Sequence, residues 1–357
     1  MKAAVIGCGR MGAFTSAGVR RYAPPAWLPL AHAEAITAHG GLELAALCDA
    51  NPDNLARALA TYGNPAGYAD VEALAREVRP DLVGIATRTI GRAAIIQTFF
   101  EHGTRAFHVE KPLCNSVAEL RALEAILGRD DVFATYGAVR RYIHIYAQAV
   151  AMAHSGDFGE LLEVRANFGA GALYWVQPHA VDLILFAAQG RAVEGVQARL
   201  LGVEPGDAPA VIANDPVVGA ASIWFEGGLA GHIGRAPGLD LMLSCASGEV
   251  TVRSDGRRID LLVQRGDDPY LVAETHAGPF TGAGPQGALA PITQLAACLS
   301  GDTEAIAANR ANKRDILTGQ EISFAMVESH LAMSRIVTFD DIAPELAVMA
   351  KTGGNYA

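Results

Sequence analysis

The chain opens MKAAVIGCGRMG, a run of strand-forming residues that breaks into the spacing G-x-G-x-x-G at Gly7, Gly9 and Gly12. Few openings constrain a fold more. A buried strand that turns on glycine and enters a helix is the first half of a βαβ unit. In it Gly7 makes the tight turn, Gly9 lets backbone approach a pyrophosphate, and Gly12 lets the helix lie close on the strand. The helix expected after Gly12 would offer unpaired N–H groups and the positive end of its dipole to an anion. Arg10 and Met11 sit inside the loop and join the glycines as candidate cofactor-binding residues. The spacing alone also describes a plain structural turn, so its weight depends on the residues downstream.

The first third of the chain alternates short apolar runs (AAVIG, LELAALC, DLVGIAT, RAFHVE) with stretches of helical spacing such as NPDNLARALATYG and SVAELRALEAILG. That alternation predicts parallel strands covered by helices on both faces. Pro24, Pro25 and Pro29 forbid a continuous helix through YAPPAWLPL and predict a surface excursion in the first crossover. A strand is expected near Val132–Gly137 and a helix near Ile143–Ser155. From Leu161 longer strand-like runs take over, separated by the turn signals EGG, SGE and SDGRR. Two helical stretches, about Gln286–Leu299 and Asn312–Met333, close the chain. The pattern predicts an α/β protein with a dinucleotide-binding domain over residues 1–137. A second domain over 138–357 would be α/β with a large, mostly antiparallel open sheet, its last helices able to pack back on the first domain.

Asp49 closes LELAALCD at the end of the second strand, where a carboxylate hydrogen-bonds the adenosine ribose and repels a 2′-phosphate. The proline-rich excursion places it beyond the usual spacing of about 20 residues. Ala50 and Asn51 bring no cation, so NAD is favoured over NADP, with Arg10 the one group that argues the other way. The structural alternative is that Asp49 caps the helix beginning near Pro52.

HVEKPLCNS puts Glu110 and Lys111 at the carboxyl edge of a parallel sheet, the edge where doubly wound folds bind ligands. A lysine facing a positively charged nicotinamide would have its ammonium form disfavoured and could exchange a proton with a substrate hydroxyl near neutral pH. An exposed surface lysine would do neither, and position alone leaves both readings open. Thr87, Arg88 and Thr89 end DLVGIAT beside the expected cofactor, with Arg88 either meeting a phosphate or standing as a solvated loop cation. In GALYWVQPHAVDLILFAAQG, Pro178 suits a first helical turn and sets His179 near the helix N-terminus, where imidazolium is disfavoured. Asp182 follows three residues later on the same face. Arg140 or Arg141 could grip an anionic substrate as a bidentate fork, or be salt-bridged. Asn167 and His232 could face the same region from sheet strands.

Together GCGRMG, EKP and H-x-x-D resemble the Gfo/Idh/MocA oxidoreductases, in order and spacing over nearly the whole chain. The resemblance implies a Rossmann domain, NAD(P) in a cleft, and a second domain whose open sheet forms a homodimer or homotetramer interface. It implies hydride transfer to or from a carbinol carbon of a sugar, inositol or nucleotide sugar. It also makes Lys111 the catalytic proton-transfer residue and His179 its partner at the substrate hydroxyl. The cofactor set is then Gly7, Gly9, Arg10, Met11, Gly12, Asp49, Thr87, Arg88, Glu110 and Lys111, and the substrate set Arg140, Asn167, Trp175, His179 and Asp182. One departure stands out: Trp175 occupies the place four residues before His179 where many relatives carry the aspartate of D-x-x-x-H. It either stacks on the apolar face of a ring or sits in the core. Two rival readings follow, a lyase or glycosidase that retains NAD for transient oxidation, and a nicotinamide-binding sensor or scaffold without catalysis.

Composition narrows the remaining classes. The net charge of −10 arises from 28 basic and 38 acidic residues with no basic run, which argues against a nucleic-acid partner. The five cysteines, Cys8, Cys48, Cys114, Cys245 and Cys298, are scattered without a C-x-x-C pair, so neither a disulfide framework nor a thiolate metal site is expected. No apolar run is long enough to span a bilayer, and the opening strand leaves no room for a signal peptide, so a cytoplasmic location is expected.

Overall fold

A computed structural model describes residues 1–205, 211–266, 268, 270–277 and 284–350. These fall into two compact units, one of residues 1–139 and 284–317, the other of 140–283 and 318–350. Residues 284–317, inside the 138–357 segment, thus cluster with the first unit, and residues 351–357 of that segment lie outside the described residues.

The first unit runs β1 (Lys2–Ile6), α1 (Ala17–Tyr22), α2 (His32–Ala38), β2 (Glu43–Cys48), α3 (Pro52–Thr61), β3 (Ala66–Tyr68), α4 (Val71–Val78), β4 (Leu82–Ile85), α5 (Arg92–Glu101), β5 (Ala106–Val109), α6 (Val117–Leu127) and β6 (Phe133–Tyr136). All six strands are parallel, in the order β3-β2-β1-β4-β5-β6. Every residue of β4 and β5 is buried, as a sheet covered on both faces requires. One face carries the cluster of Val5, Leu47, Ala33, Ile36 and Ala58, closed by Ile292 and Leu295 from a later helix. Strand order reverses between β1 and β4, so the segments leaving their carboxyl ends flank a crevice suited to a ligand.

The helix expected directly after Gly12 is absent as a continuous element. Ala13 and Phe14 N–H groups bond to the Gly9 carbonyl, giving one turn, and the chain then leaves through α1 and the prolines. It returns as α2, where the His32 N–H donates to the Met11 carbonyl at 2.9 Å and the Ala33 N–H to the Gly12 carbonyl at 2.8 Å. Those are the bonds that residues 15 and 16 would make in an unbroken helix. The crossover helix is therefore assembled from two pieces of chain, and the excursion is held to it by Glu34, whose carboxylate accepts from the Thr15 hydroxyl at 2.7 Å and pairs with Arg20.

The second unit contains α7 (His144–Ala153), β7 (Leu161–Asn167), α8 (Gln177–Ala188), β8 (Val193–Leu201), β9 (Val211–Ile212), β10 (Val217–Phe225), β11 (Ala230–Gly234), β12 (Asp240–Cys245), β13 (Gly248–Arg253), β14 (Arg258–Gln264) and β15 (Leu271–Ala277). Eight of these strands make one sheet, β15-β14-β13-β12-β7-β11-β10-β8, antiparallel except where β7 meets β11. α7 lies against β12, β13 and β14, and α8 against β7 and β11. The last elements are α9 (Leu289–Leu299), α10 (Thr303–Leu331) and β16 (Ala347–Val348). α10 begins earlier than the expected Asn312 because the Asp302 side chain accepts from the N–H groups of Glu304 and Ala305 and caps it there. β15 was not anticipated from the sequence. The β8 edge is closed by Val337, Ser329 and His330, which take the N–H groups of Val196, Ala198 and Leu200.

Candidate functional site

Steric demands fix the glycine loop. Gly7 has φ +90°, and a Cβ there would lie 2.9 Å from the Ala86 carbonyl carbon and 3.0 Å from the Thr87 nitrogen. A Cβ on Gly12 would stand 1.6 Å from the Gly7 carbonyl oxygen, which no rearrangement short of opening the turn relieves. Gly9 differs: nothing lies within 4 Å of the position its Cβ would take. Two glycines serve packing and the third keeps a space open, which is the cradle a pyrophosphate needs. Thr87 adds a second sign, since its hydroxyl is buried and makes no hydrogen bond among the described residues. Arg10 and Met11 are half-buried on the loop, while Arg88 is exposed.

The Asp49 carboxylate faces the same loop. Its Oδ2 accepts from the Cys8 N–H at 2.6 Å and its Oδ1 from the Asn51 N–H at 2.8 Å. The capping alternative belongs to Asn51 instead, whose side-chain oxygen accepts from Asp53 and Asn54 at the start of α3. Asp49 thus reaches across to the glycine turn and leaves further lone pairs for a ribose diol. The neighbouring thiols stay protonated: burial, then the Asp49 charge, pushes Cys8 up to about 12 and Cys48 up to about 11.

Lys111 is half-buried just beyond β5, and the bond to Pro112 is cis. Its segment is fastened by a residue that sequence reasoning passed over. Arg92, at the start of α5, is 1 % exposed, and its guanidinium bonds the carbonyls of Thr87, Glu110 and Pro112. Burial pushes Arg92 down to about 10, against the Glu110 carboxylate, so it keeps its charge at neutral pH. A cation in a first helical turn, opposed by the dipole, was the available signal. Glu110 itself is buried, with Oε1 3.4 Å from His32 Nε2. Burial alone would raise its carboxyl, but His32, Lys111 and Arg92 together hold it below the ordinary glutamate value.

In the second unit, Gln177 and Pro178 open α8, His179 follows half-buried, and Trp175 is half-buried in the turn before it. Asp182 is 4 % exposed and bound to Arg141, with Nη2 2.8 Å from Oδ1 and Nε 3.0 Å from Oδ2. Arg140 makes the same fork to Asp255, at 2.8 and 3.2 Å, beneath the Phe168 ring. Both candidates for substrate contact therefore engage partners within their own unit. Asn167 ends β7 beside Gly234, while His232 bonds Ser222 at 2.9 Å and lies 3.8 Å from Glu163, its pKa lowered chiefly by burial. Among the described residues, no helix is long and apolar enough to cross a membrane.

Comparison with known proteins gives this geometry its context. Residues 1–137 match the family model described as "Oxidoreductase family, NAD-binding Rossmann fold". No curated protein sequence matches. Solved structures similar to the chain include an oxidoreductase from Agrobacterium radiobacter in complex with NAD+, L-tartaric acid and magnesium, at 18 % identity and TM-score 0.68, covering 96 % of this chain and 99 % of that one. A levoglucosan dehydrogenase in complex with NADH and levoglucosan superimposes at 17 % identity and TM-score 0.70, covering 94 % and 98 %. A mutant 3-ketoreductase from Actinomadura kijaniata, in complex with TDP-benzene and NADP, does so at 16 % and 0.64, covering 92 % and 96 %. At such identities the likeness speaks for the fold. With the glycine loop, the strand order and the family match in agreement, residues 1–137 form an NAD-binding Rossmann domain that matches the model of the Gfo/Idh/MocA oxidoreductases.

Proposed function

We propose that the protein is an NAD-dependent dehydrogenase acting on a secondary hydroxyl, or the matching ketone, of a sugar, an inositol or a nucleotide sugar. The observation that carries this reading is Lys111, a half-buried lysine at the carboxyl edge of a sheet whose glycine loop is built for NAD. Bound NAD supplies a carbon that takes up or returns hydride. The Lys111 ε-amine takes the substrate hydroxyl proton during oxidation and returns it during reduction. His179, near the N-terminus of α8, is the proposed hydrogen-bond partner of a substrate hydroxyl. Trp175 offers a ring face to the apolar side of the substrate. Arg140, Asn167 and Asp182 complete the proposed substrate set, with Arg140 and Asp182 acting through the ion pairs that hold them. A cytoplasmic homodimer or homotetramer belongs to the same reading.

The ligands in the solved relatives, levoglucosan and a nucleotide derivative, support a sugar-like substrate. The test is a panel of anhydrosugars, sugars, inositols and nucleotide sugars, scored by nicotinamide absorbance with NAD and with NADP. Reduction of NAD by a panel member, lost about 10²- to 10⁴-fold in Lys111→Ala at unchanged NAD affinity, is the expected result. Product formed without net NADH would move the protein to the lyases or glycosidases, and NAD binding without turnover across the panel to the sensors.

A further inference from the structure

His32 has no part in the mechanism just described, yet it is fully buried where three segments of the first unit meet. Its backbone N–H holds the Met11 carbonyl of the cofactor loop, and its side-chain Nε2 lies 3.4 Å from the Glu110 carboxylate, one residue before Lys111. Its ring is 4.4 Å from that of His108, which in turn bonds the Thr135 hydroxyl at 2.9 Å. Two glycines make room for this arrangement. A Cβ on Gly84 would stand 2.8 Å from His32 Nδ1, and a Cβ on Gly137 would stand 2.8 Å from the Glu110 carboxyl carbon. A carboxylate and two imidazoles buried together are costly, and an apolar side chain would fill the same volume more cheaply. The titratable groups against His32 are Glu110 from the segment after β5 and His108 from β5, while Lys111 and Arg92 act on Glu110. Gly84 of β4 borders the His32 ring, and Thr135 of β6 bonds His108.

We infer that His32 is a positioning residue for Lys111: its imidazole donates to Glu110 and fixes the carboxylate beside the lysine, while its backbone fastens that assembly to the glycine loop. This rests on the proposed role of Lys111. The side chain must then present a donor at the place of Nε2, and filling the volume is not enough. Without that donor the buried carboxyl loses the partner that favours its charge, and the adjacent amine loses a negative neighbour.

The protein has four lysines, Lys2, Lys111, Lys313 and Lys351, so modification can be followed site by site. The experiment is reductive methylation with formaldehyde and dimethylamine–borane at fixed pH in the presence of NAD, read by peptide mass spectrometry, alongside NAD affinity. In His32→Leu the Lys111 rate should rise about threefold or more with NAD affinity kept within about threefold. In His32→Gln, whose amide nitrogen reaches the place of Nε2, the wild-type rate should return. If His32→Leu does not fold, His32→Gln and His32→Asn decide, since the asparagine nitrogen falls short of Glu110. An unchanged Lys111 rate in the leucine variant, or equal rates in the two amide variants, overturns the inference. Full turnover by Lys111→Ala would instead overturn the catalytic reading of Lys111 and leave the methylation result standing.

Discussion

The Cys8 N–H donates to Asp49 Oδ2 at 2.6 Å, joining the second residue of the glycine loop to the end of the neighbouring strand. The carboxylate has two tasks, holding the loop and repelling a 2′-phosphate. Asp49→Asn retains an acceptor for Cys8 and removes the charge, but sets an amide NH2 against the Asn51 N–H, so it should fold with a lower Tm. NAD affinity is expected to fall about tenfold and NADP affinity to rise, as measured by fluorescence titration with both nucleotides.

Gly9 and Gly12 should separate binding from folding. Gly12→Ala drives a Cβ to 1.6 Å from the Gly7 carbonyl and should lower Tm steeply, or abolish soluble protein. Gly9→Ala meets nothing within 4 Å among the described residues beyond its chain neighbours and should keep the wild-type Tm while NAD affinity drops at least about tenfold. Equal Tm losses in the two variants would contradict this division.

His108 imposes a pH dependence on stability. Burial, then the neighbouring His32, holds its pKa well below 6.5 in the folded state, so the unfolded chain binds the proton first as pH falls. Stability is fully present above about pH 6.5 and declines below it, by about 1.4 kcal/mol per pH unit from this group. Glu110 adds a second loss at lower pH, because its depressed carboxyl stabilises the fold above the ordinary glutamate pKa and ceases to do so as pH falls through the folded value. Urea unfolding between pH 7.5 and 5 should give a shallower slope for His108→Asn, which can keep the Thr135 contact.

The Arg141–Asp182 pair, 7 % and 4 % exposed, is buried on both sides. Removing one partner strands the other charge, so Asp182→Ala should cost about 3–5 kcal/mol in chemical denaturation. His179→Ala, half-buried at the helix start, should cost far less stability and more turnover. A stable Asp182→Ala would show the ion pair to be dispensable to the fold.

The fold was legible where one residue type answers one local demand. Alternating apolar runs gave β1, β2, β4 and β5, the glycine spacing gave the turn, and Pro178 gave the start of α8. The site was legible only up to contacts that skip along the chain. His32 meets Glu110 across 78 positions, and the pair depends on the vacancies at Gly84 and Gly137, which read in sequence as ordinary strand and turn glycines. Arg92 escaped notice in the sequence, because its acceptors are backbone carbonyls and backbone is the same in every sequence. The break after Gly12 was half visible: the prolines announced an excursion, but not that α2 would resume the helix in phase.

That resumption makes residues 15–31 a cassette. Met11 and Gly12 receive from His32 and Ala33 the bonds that the next turn of an uninterrupted helix would supply, so the two flanks already obey one helical register. Splicing Phe14 to His32 would close the gap without rotating any residue of α2, so the shortened chain should keep its NAD affinity, while its Tm should fall because Gly287 and Ala288 lose the Ala26 and Pro29 carbonyls that accept from them. The nucleotide loop and its histidine anchor would then share one rigid rod, and what the excursion adds is a bracket for the start of α9.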